Sequence, residues 1–469
     1  MKFLHTADLH LGKVFHEHSL IDDQKHLLDQ LAEILSDPSF AALLIAGDVY
    51  DRSIPSPDAA DLFSAFLGTV KARRPDLQVL VLPGNHDSSS RLGFGRELFA
   101  GLGVHLVTRP EDAFRPVLVS PGGGDETCAF FLLPFLYPGS LRAGAGREDD
   151  EGLQAEPLRS QARLAGEAAA RLEQARVSAL AAGADYGVLG AHLFAAGGLE
   201  SESERVFLGT AERVRAELFA AFDYTALGHL HRCQQAGERA WYSGSPLAYS
   251  FEEGRYGKVF LAVELERKAE GEREAEGGNP APAGAPGAAD APEGRPGGGA
   301  RGTVLRVTPI PVRPLRPLRS LRGSFDYFFR DAGKDPLLGE AENDYIEAVL
   351  TDPLLTENPL ALLRRRFPWI LSVKQEAALS AFHPALAPAP RDAPDGAGLP
   401  PRGGKRRTPV EDFEDFLREM YGGDQPDNRE KTAAFTELLE ELEQSAAERG
   451  GAERDGAERG AAERGGGAN

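Results

Sequence analysis

Five short clusters in this 469-residue chain combine carboxylate, imidazole and amide side chains with small residues: Asp8-Leu9-His10, Gly47-Asp48, Gly84-Asn85-His86-Asp87, Gly190-Ala191-His192 and Gly228-His229-Leu230-His231. Oxygen and imidazole donors without a thiolate suit Mn, Fe, Zn or Mg better than a structural zinc cage. Seven candidate ligands, Asp8, His10, Asp48, Asn85, His192, His229 and His231, exceed what one ion takes, and one Asp can bridge two ions roughly 3.5–4 Å apart. Paired ions of that kind hydrolyse phosphoesters. In an extended segment, residues i and i+2 face the same way about 7 Å apart, so Asp8 with His10, and His229 with His231, can each turn two donors toward one pocket. The glycines beside Asp48, Asn85, His192 and His229 allow tight turns where a strand ends. Singly, each cluster has a plainer reading: Asp-x-His as a satisfied turn, Gly-Asn as a turn former. Five in one chain, each behind an apolar run, point to a metal centre.

Those runs are the elements that must position the clusters. Lys2–His5, Leu43–Ala46, Val79–Leu82, Phe130–Phe135, Tyr186–Gly190, Tyr224–Gly228 and Gly257–Leu265 read as strands, with polar turns and helical patterns between them, so the first 265 residues are α/β. In open α/β sheets, sites form at the carboxyl ends of strands, where these clusters fall. Residues 266–302 lack aromatic and β-branched side chains and predict a disordered insertion, either extending a hairpin between two strand-like flanks or linking domains. A strand return and a small α+β unit occupy 303–381, with a strand at Tyr345–Leu350, a capping signal at Asn358-Pro359 and an apolar run at Trp369–Val373. A linker follows at 382–407. Residues 408–443 hold two amphipathic stretches, headed by the cap Thr408-Pro409 with Glu411, that either dock on a partner or fold back. Residues 444–469, with AERG repeats, form a low-complexity tail.

Composition narrows the class. Hydrophobic residues at 42% and charged residues at 26% are ordinary for a soluble protein, while 53 Gly and 33 Pro belong to the linkers. The net charge of −20 argues against coating nucleic acid by charge alone. From Glu411 onward, however, there are 17 acidic and 7 basic residues, so half of that charge lies away from the candidate site. Cys128 and Cys233 match no metal or redox spacing, His5, Asp8 and His10 interrupt any leader-like run, and no apolar stretch approaches the ~20 residues that span a bilayer. The expectation is a cytoplasmic protein without a membrane.

The ordered set DLH, GDVYD, GNHD, GAH and GHLH resembles the calcineurin-like metallophosphoesterase superfamily. Within it, the strings HTADLHLG (5–12), AGDVYDRSIPS (46–56), LPGNHDS (82–88), ALGHLHRCQ (226–234) and YSGSPLAYSFEE (242–253) resemble the nuclease subunits of bacterial SbcCD complexes. The resemblance is strong over about 255 residues; the insertion, the linker before 408 and the AERG repeats depart from it. It implies a four-layer α/β/β/α sandwich with a small capping domain and a C-terminal helical tail. It further implies one metal on Asp8, His10, Asp48 and His231 and a second on Asp48, Asn85, His192 and His229, both divalent and foremost Mn2+. His86 would then act on the scissile phosphate, with Asp87 orienting its ring; for Asp87 a plain turn role is the alternative. The implied activity is double-strand 3'-5' exonuclease and single-strand or hairpin endonuclease, working with an SbcC-type coiled-coil ATPase in DNA repair, recombination and replication. A homodimer within a heterotetramer would form through helices at Asp58–Val70 and Leu92–Leu102, whose apolar residues core packing otherwise explains.

Flanking groups leave choices open. Asp51 either touches substrate or starts a helix. Lys13, Arg52, Arg91 and Arg232 could meet phosphates or stay solvated, and Arg313, Arg316, Arg319 and Arg322 mark either a basic edge for DNA or a surface crossing. Two rival functions remain, a small-molecule or protein phosphoesterase and a scaffold that has lost its metals. The first leaves the small domain and tail unexplained, and the complete ligand set weighs against the second.

Overall fold

In the computed structural model the described residues are 1–122, 126–142, 158, 160–195, 214–267, 303–330 and 335–376, with 410, 431–433 and 435–436 beyond them. The expected insertion lies outside these except for 266 and 267, which continue a strand; the linker and AERG tail lie outside them, as does nearly all of the 408–443 segment, of which 410, 431–433 and 435–436 are helical. By its contacts the chain divides into two units, Met1–Ala387 and Pro388–Asn469.

The first unit opens with β1 (Lys2–Thr6), a short hairpin of β2 (Val14–Phe15) and β3 (His18–Ser19), helix α1 (Ile21–Ile34), β4 (Ala42–Ala46), α2 (Pro57–Arg73) and β5 (Gln78–Leu82). Next come α3 (Ser89–Leu92), α4 (Arg96–Ala100), β6 (Val104–Leu106), β7 (Val117–Val119), β8 (Cys128–Leu133), α5 (Gln161–Ala181), β9 (Tyr186–His192) and β10 (Tyr224–Gly228). The later strands are β11 (Gln234–Gln235), β12 (Ala240–Tyr242), β13 (Val259–Arg267), β14 (Thr303–Pro311), β15 (Leu318–Gly323), β16 (Tyr345–Leu350) and β17 (Ile370–Gln375). One six-stranded sheet has the order β14-β13-β1-β4-β5-β6 and the other β11-β12-β10-β9-β8-β7. The central strands of each run parallel, and β13 pairs with β14 antiparallel along its whole length.

Alternation along these strands builds the layers, because successive side chains point to opposite faces. Phe3, Leu44, Leu80, Leu82, Phe130, Leu132, Tyr186, Val188, Tyr224 and Ala226 meet between the two sheets. Their neighbours Leu4, Leu43, Ile45, Val79 and Val81 turn outward onto α1 and α2, packing on Leu27, Leu31, Phe63 and Phe66. Phe131, Leu133, Leu189 and Ala191 turn the other way onto α5, at Leu164, Ala168 and Leu172. This is the expected α/β/β/α sandwich. Every residue of β4, β8, β9 and β10 is buried, which is why they read as unbroken apolar runs rather than alternating ones.

The small domain is a parallel sheet, β15-β16-β17, with helices in both crossovers, so strands and helices alternate rather than segregate. Asn358 does not cap its helix through a side-chain bond; it sits at φ +46, and only Pro359–Leu363 is helical. Three of the four evenly spaced arginines are committed to holding this domain: Arg319 pairs with Asp344, Arg322 with Glu376, and Arg316 lies 4.0 Å from the Trp369 ring centroid and 3.8 Å from Asp23.

Docking onto the first sheet's helices centres on Tyr345, whose hydroxyl donates to Asp23 at 2.7 Å, while His18 packs against the Tyr345 and Trp369 rings. Burial raises the pKa of Asp23 and the Tyr345 bond opposes that rise. Since the folded-state pKa exceeds the unfolded one, the favourable contribution of Asp23 is present at low pH and lost as pH rises. Tyr345→Phe removes the bond that sustains the charged form, so at neutral pH it should cost about 1–3 kcal/mol in urea unfolding. The deficit should shrink as pH falls through the Asp23 pKa; a pH-independent loss would mean the hydroxyl matters only for packing.

Candidate metal centre

Because β1, β4 and β5 are parallel neighbours in one sheet and β9 and β10 in the other, all five clusters leave their strands at the same end of the sandwich. The loops after β1 and β4 continue to pair beyond the sheet: Asp8 N donates to Gly47 O, His10 N to Asp48 O and Leu11 N to Val49 O. The convergence of Asp8 with His10 does not come from extended backbone, contrary to the expectation from their spacing. Asp8, His10, Asp48 and His229 sit at φ +54, +44, +48 and +107, in a region that costs an L-residue about 1–2 kcal/mol. Four non-glycine residues strained at one site indicate that the fold holds them there for what their side chains do.

Two sets of donors result. Asp8, His10 and His231 bring ligand atoms within 4.8 Å of one another, as do Asp8, Asp48 and His192, and His10, Asp48 and His86. His10 Nε2 lies 3.2 Å from His231 Nε2 and 3.7 Å from Asp48 Oδ2. Asn85 Oδ1 lies 3.0 Å from both His192 Nε2 and His229 Nδ1, and Asp48 Oδ2 is 3.5 Å from the same His192 nitrogen. Asp48 thus touches both sets. Asp8 also receives the His229 backbone N–H on both carboxylate oxygens, at 3.0 and 3.1 Å.

The donor chemistry fits cations. His192 Nδ1 must be protonated to donate to Ala46 O at 2.9 Å, so its Nε2 presents a lone pair to the Asn85 oxygen. His231 Nδ1 faces the Glu253 carboxylate at 3.2 Å, so its Nε2 likewise presents a lone pair to His10. Acceptors aimed at acceptors repel unless a positive charge lies between them. Burial is the main force driving His10 down to about 4 and His229 down to about 3, and it lowers His192 as well, keeping the imidazoles in the neutral form that ligates. Burial opposes ionisation of Asp48, but His192, His10, His86 and the His86 N–H outweigh it and hold the carboxyl at about 2. The described residues therefore gather Asp8, His10 and His231 in one donor group and Asp8, Asp48 and His192 in another, with Asn85 bridging His192 and His229 beside the second.

Glycines make the approach possible, though not mainly by turning. Gly47 has φ +95, and a Cβ there would sit 2.1 Å from His192 Nδ1. Gly84, Gly190 and Gly228 have ordinary φ and are close-approach sites; a Cβ at Gly228 would lie 1.9 Å from Ala46 O.

His86 stands at the rim, half-buried, with its backbone N–H on Asp48 Oδ1. Its Nδ1 donates to the carbonyl of Asp51 at 2.9 Å, and this bond, not Asp87, sets the ring. The Asp87 carboxylate is buried and accepts the backbone N–H groups of Val49, Tyr50 and Gly84, at 3.0, 2.9 and 3.0 Å. It clamps the β4 and β5 loops together, a buried version of the turn role. Asp51 is a hub: its carboxylate meets Lys13 Nζ at 2.7 Å and His10 Nδ1 at 3.5 Å, and its carbonyl holds His86. Lys13 is thereby paired, Arg232 stacks on Tyr256, Arg91 is exposed and lines a groove beside α2, and Arg52, 77% exposed, lies 3.8 Å from the Asp51 carboxylate.

Sequence reading missed Glu253, which is wholly buried, and its partner Lys258 at 2.6 Å. The signal was a run of Ser245, Tyr249, Ser250 and Glu253 inside an otherwise apolar stretch.

Residues 1–158 match the calcineurin-like phosphoesterase family. The D component of the SbcCD nuclease from Bacillus subtilis (strain 168) is 36% identical over 276 residues, covering 56% of this chain and 66% of that one. The protein of the same name from Staphylococcus saprophyticus is 31% identical over 270 residues, covering 57% and 66%. The chain thus spans just under two thirds of these relatives. The calcineurin-like phosphoesterase YfkN from Bacillus subtilis aligns over 58% of this chain and 86% of its own at 14% identity, with a TM-score of 0.31, too low to bear on function. Among the described residues, no helix is long and apolar enough to cross a membrane.

Proposed function

We propose that this chain, which has the calcineurin-like phosphoesterase fold, is the nuclease subunit of a two-component DNA-processing machine and hydrolyses phosphodiesters with two divalent metals. The observation that carries the chemistry is the pair of acceptor clusters sharing Asp48. Asp8, His10, Asp48 and His231 would hold one ion and Asp48, Asn85, His192 and His229 the other. Such ions, when bound, polarise a phosphate and make water nucleophilic near neutral pH. The remaining work belongs to the protein. The Ala46 carbonyl and the Glu253 carboxylate fix which nitrogen His192 and His231 present. The Asp51 carbonyl fixes His86 Nδ1 as donor, which makes Nε2 the nitrogen that exchanges a proton with the leaving oxygen.

Nucleic acid as substrate follows from the likeness to SbcCD nuclease subunits, and DNA is our reading of that likeness together with the chain beyond the catalytic core. On this reading residues 1–265 hydrolyse, 303–381 cap the site, and 408–443 dock an SbcC-type coiled-coil ATPase in the cytoplasm. Purified protein with Mn2+ should cleave double-stranded and hairpin DNA, more so with that partner. Robust turnover of a nucleotide diester without DNA cleavage under any condition would instead favour the small-molecule phosphoesterase.

The reading includes a homodimer. Phe63 and Phe66 of α2 are core, but Phe94, Leu98 and Leu102 beside α3 and α4 are 83%, 80% and 63% exposed. Phe94 and Leu102 line a groove together with Tyr50, Leu67 and Phe99, and Leu98 lies next to Phe99 in the chain. Exposed apolar side chains clustered in this way mark contact surfaces. The double change Phe94→Ser with Leu98→Asp should leave a folded monomer in light scattering; a dimer that survives it would place the interface elsewhere.

A further inference from the structure

Glu253 is wholly buried on a short turn, Glu253–Arg255, and its carboxylate is bound on both oxygens. Oε1 lies 3.2 Å from His231 Nδ1 and 3.5 Å from Ser250 Oγ. Oε2 accepts from Lys258 Nζ at 2.6 Å, Tyr249 N at 3.2 Å and Ser245 Oγ at 3.3 Å. Lys258 also donates to the carbonyl of His231 at 3.0 Å and to Ser245 Oγ at 2.8 Å, so it grips the histidine's main chain while the glutamate grips its ring. The turn is pinned from the far side as well, since a Cβ at Gly254 would meet Leu318 O of β15 at 2.5 Å. Lys258 borders a cavity of about 150 Å³ between this turn and the small domain, whose other walls include Asp23, Arg316 and Tyr345.

A buried carboxylate is costly unless paired and hydrogen-bonded, and this one is both. Lys258 supplies the pairing, and Tyr249 N, Ser245 Oγ and Ser250 Oγ supply the remaining hydrogen bonds. An anion on Nδ1 forces the proton to that nitrogen, leaves Nε2 as the ligating atom, and fixes the ring's angle. A plain structural ion pair would need none of the contacts to His231.

We propose that Glu253 and Lys258 are positioning residues for His231: the carboxylate sets its tautomer and ring orientation, and the ammonium holds the carboxylate and the His231 main chain in place. This rests on the two-metal reading above. The test is Mn2+ binding to the full chain by calorimetry, with elemental analysis, for the unaltered protein, Glu253→Gln, and the charge-balanced pair Glu253→Gln with Lys258→Met. One of two sites should weaken about 10–100-fold in whichever variant keeps the native circular dichroism, while the other site stays as it was. Two unchanged sites in a folded variant would overturn the proposal and leave the two-metal reading standing. An unaltered protein that takes up no divalent ion would overturn both. Nitrogen-15 histidine spectra of the unaltered protein give an independent readout: His231 should carry its proton on Nδ1, and an Nε2-protonated ring would sink the idea even if no variant folds.

Discussion

Replacing His86 with alanine should slow DNA hydrolysis by about 10²–10⁴-fold while leaving two metals per chain, the range lost when a positioned general acid is removed. The retention of metal is the discriminating half of the result. His86 lies within ligand distance of His10 and Asp48, so geometry alone allows it to coordinate. Its Nδ1, however, is engaged by the Asp51 carbonyl, its ring sits at the half-buried rim, and both proposed ligand sets are complete without it. An activity loss accompanied by the loss of one ion would make it a ligand and remove the proton-transfer role. The same variant assayed on a substrate with a good leaving group should recover much of the rate, because such a group needs less protonation.

Gly47→Ala should destabilise the metal-free protein by about 2–5 kcal/mol in urea unfolding, and Gly228→Ala, at ordinary φ, by about 1–3 kcal/mol. Overpacking a tight interior costs about 1–3 kcal/mol, and at Gly47 a methyl group at φ +95 adds about 1–2 kcal/mol of backbone strain. The clashing atoms are His192 Nδ1 at 2.1 Å for Gly47 and Ala46 O at 1.9 Å for Gly228. These are the two ends of one hydrogen bond, and in both cases the two sheets must part where that bond crosses between them. Gly166, within α5, is the control: nothing lies within 4 Å of a Cβ there, so Gly166→Ala should stabilise by up to about 1 kcal/mol through helix propensity. Losses below about 0.5 kcal/mol at Gly47 and Gly228 would mean that the sheets approach less closely than the geometry requires.

Much of the sandwich was legible because its strands are short, apolar and followed by polar clusters. Tyr224–Gly228 and Tyr345–Leu350 match their predicted bounds, and the other predicted runs are off by a few residues at one or both ends. The helical pattern at Leu92–Leu102 was read as one element, but Gly93 and Gly95 break it into α3 and α4, which leaves Phe94 and Leu98 outside the core. The even spacing of Arg316, Arg319 and Arg322 suggested a basic edge because periodicity cannot reveal partners; those partners lie 54 residues away for Arg322 and in another domain for Arg316.

The amino-acid sequence by itself determined the inventory of donors and their placement at strand ends, since both follow from residue type and local pattern. The tertiary structure decided which nitrogen each histidine presents, that the loops bend through left-handed backbone rather than extend, and that Asp51 rather than Asp87 holds His86. It also brought Glu253 to His231. Each of these depends on groups far apart along the chain or on backbone angles that no residue preference dictates. Asp8 and His229, 221 positions apart, share two hydrogen bonds only because two separate sheets close on each other.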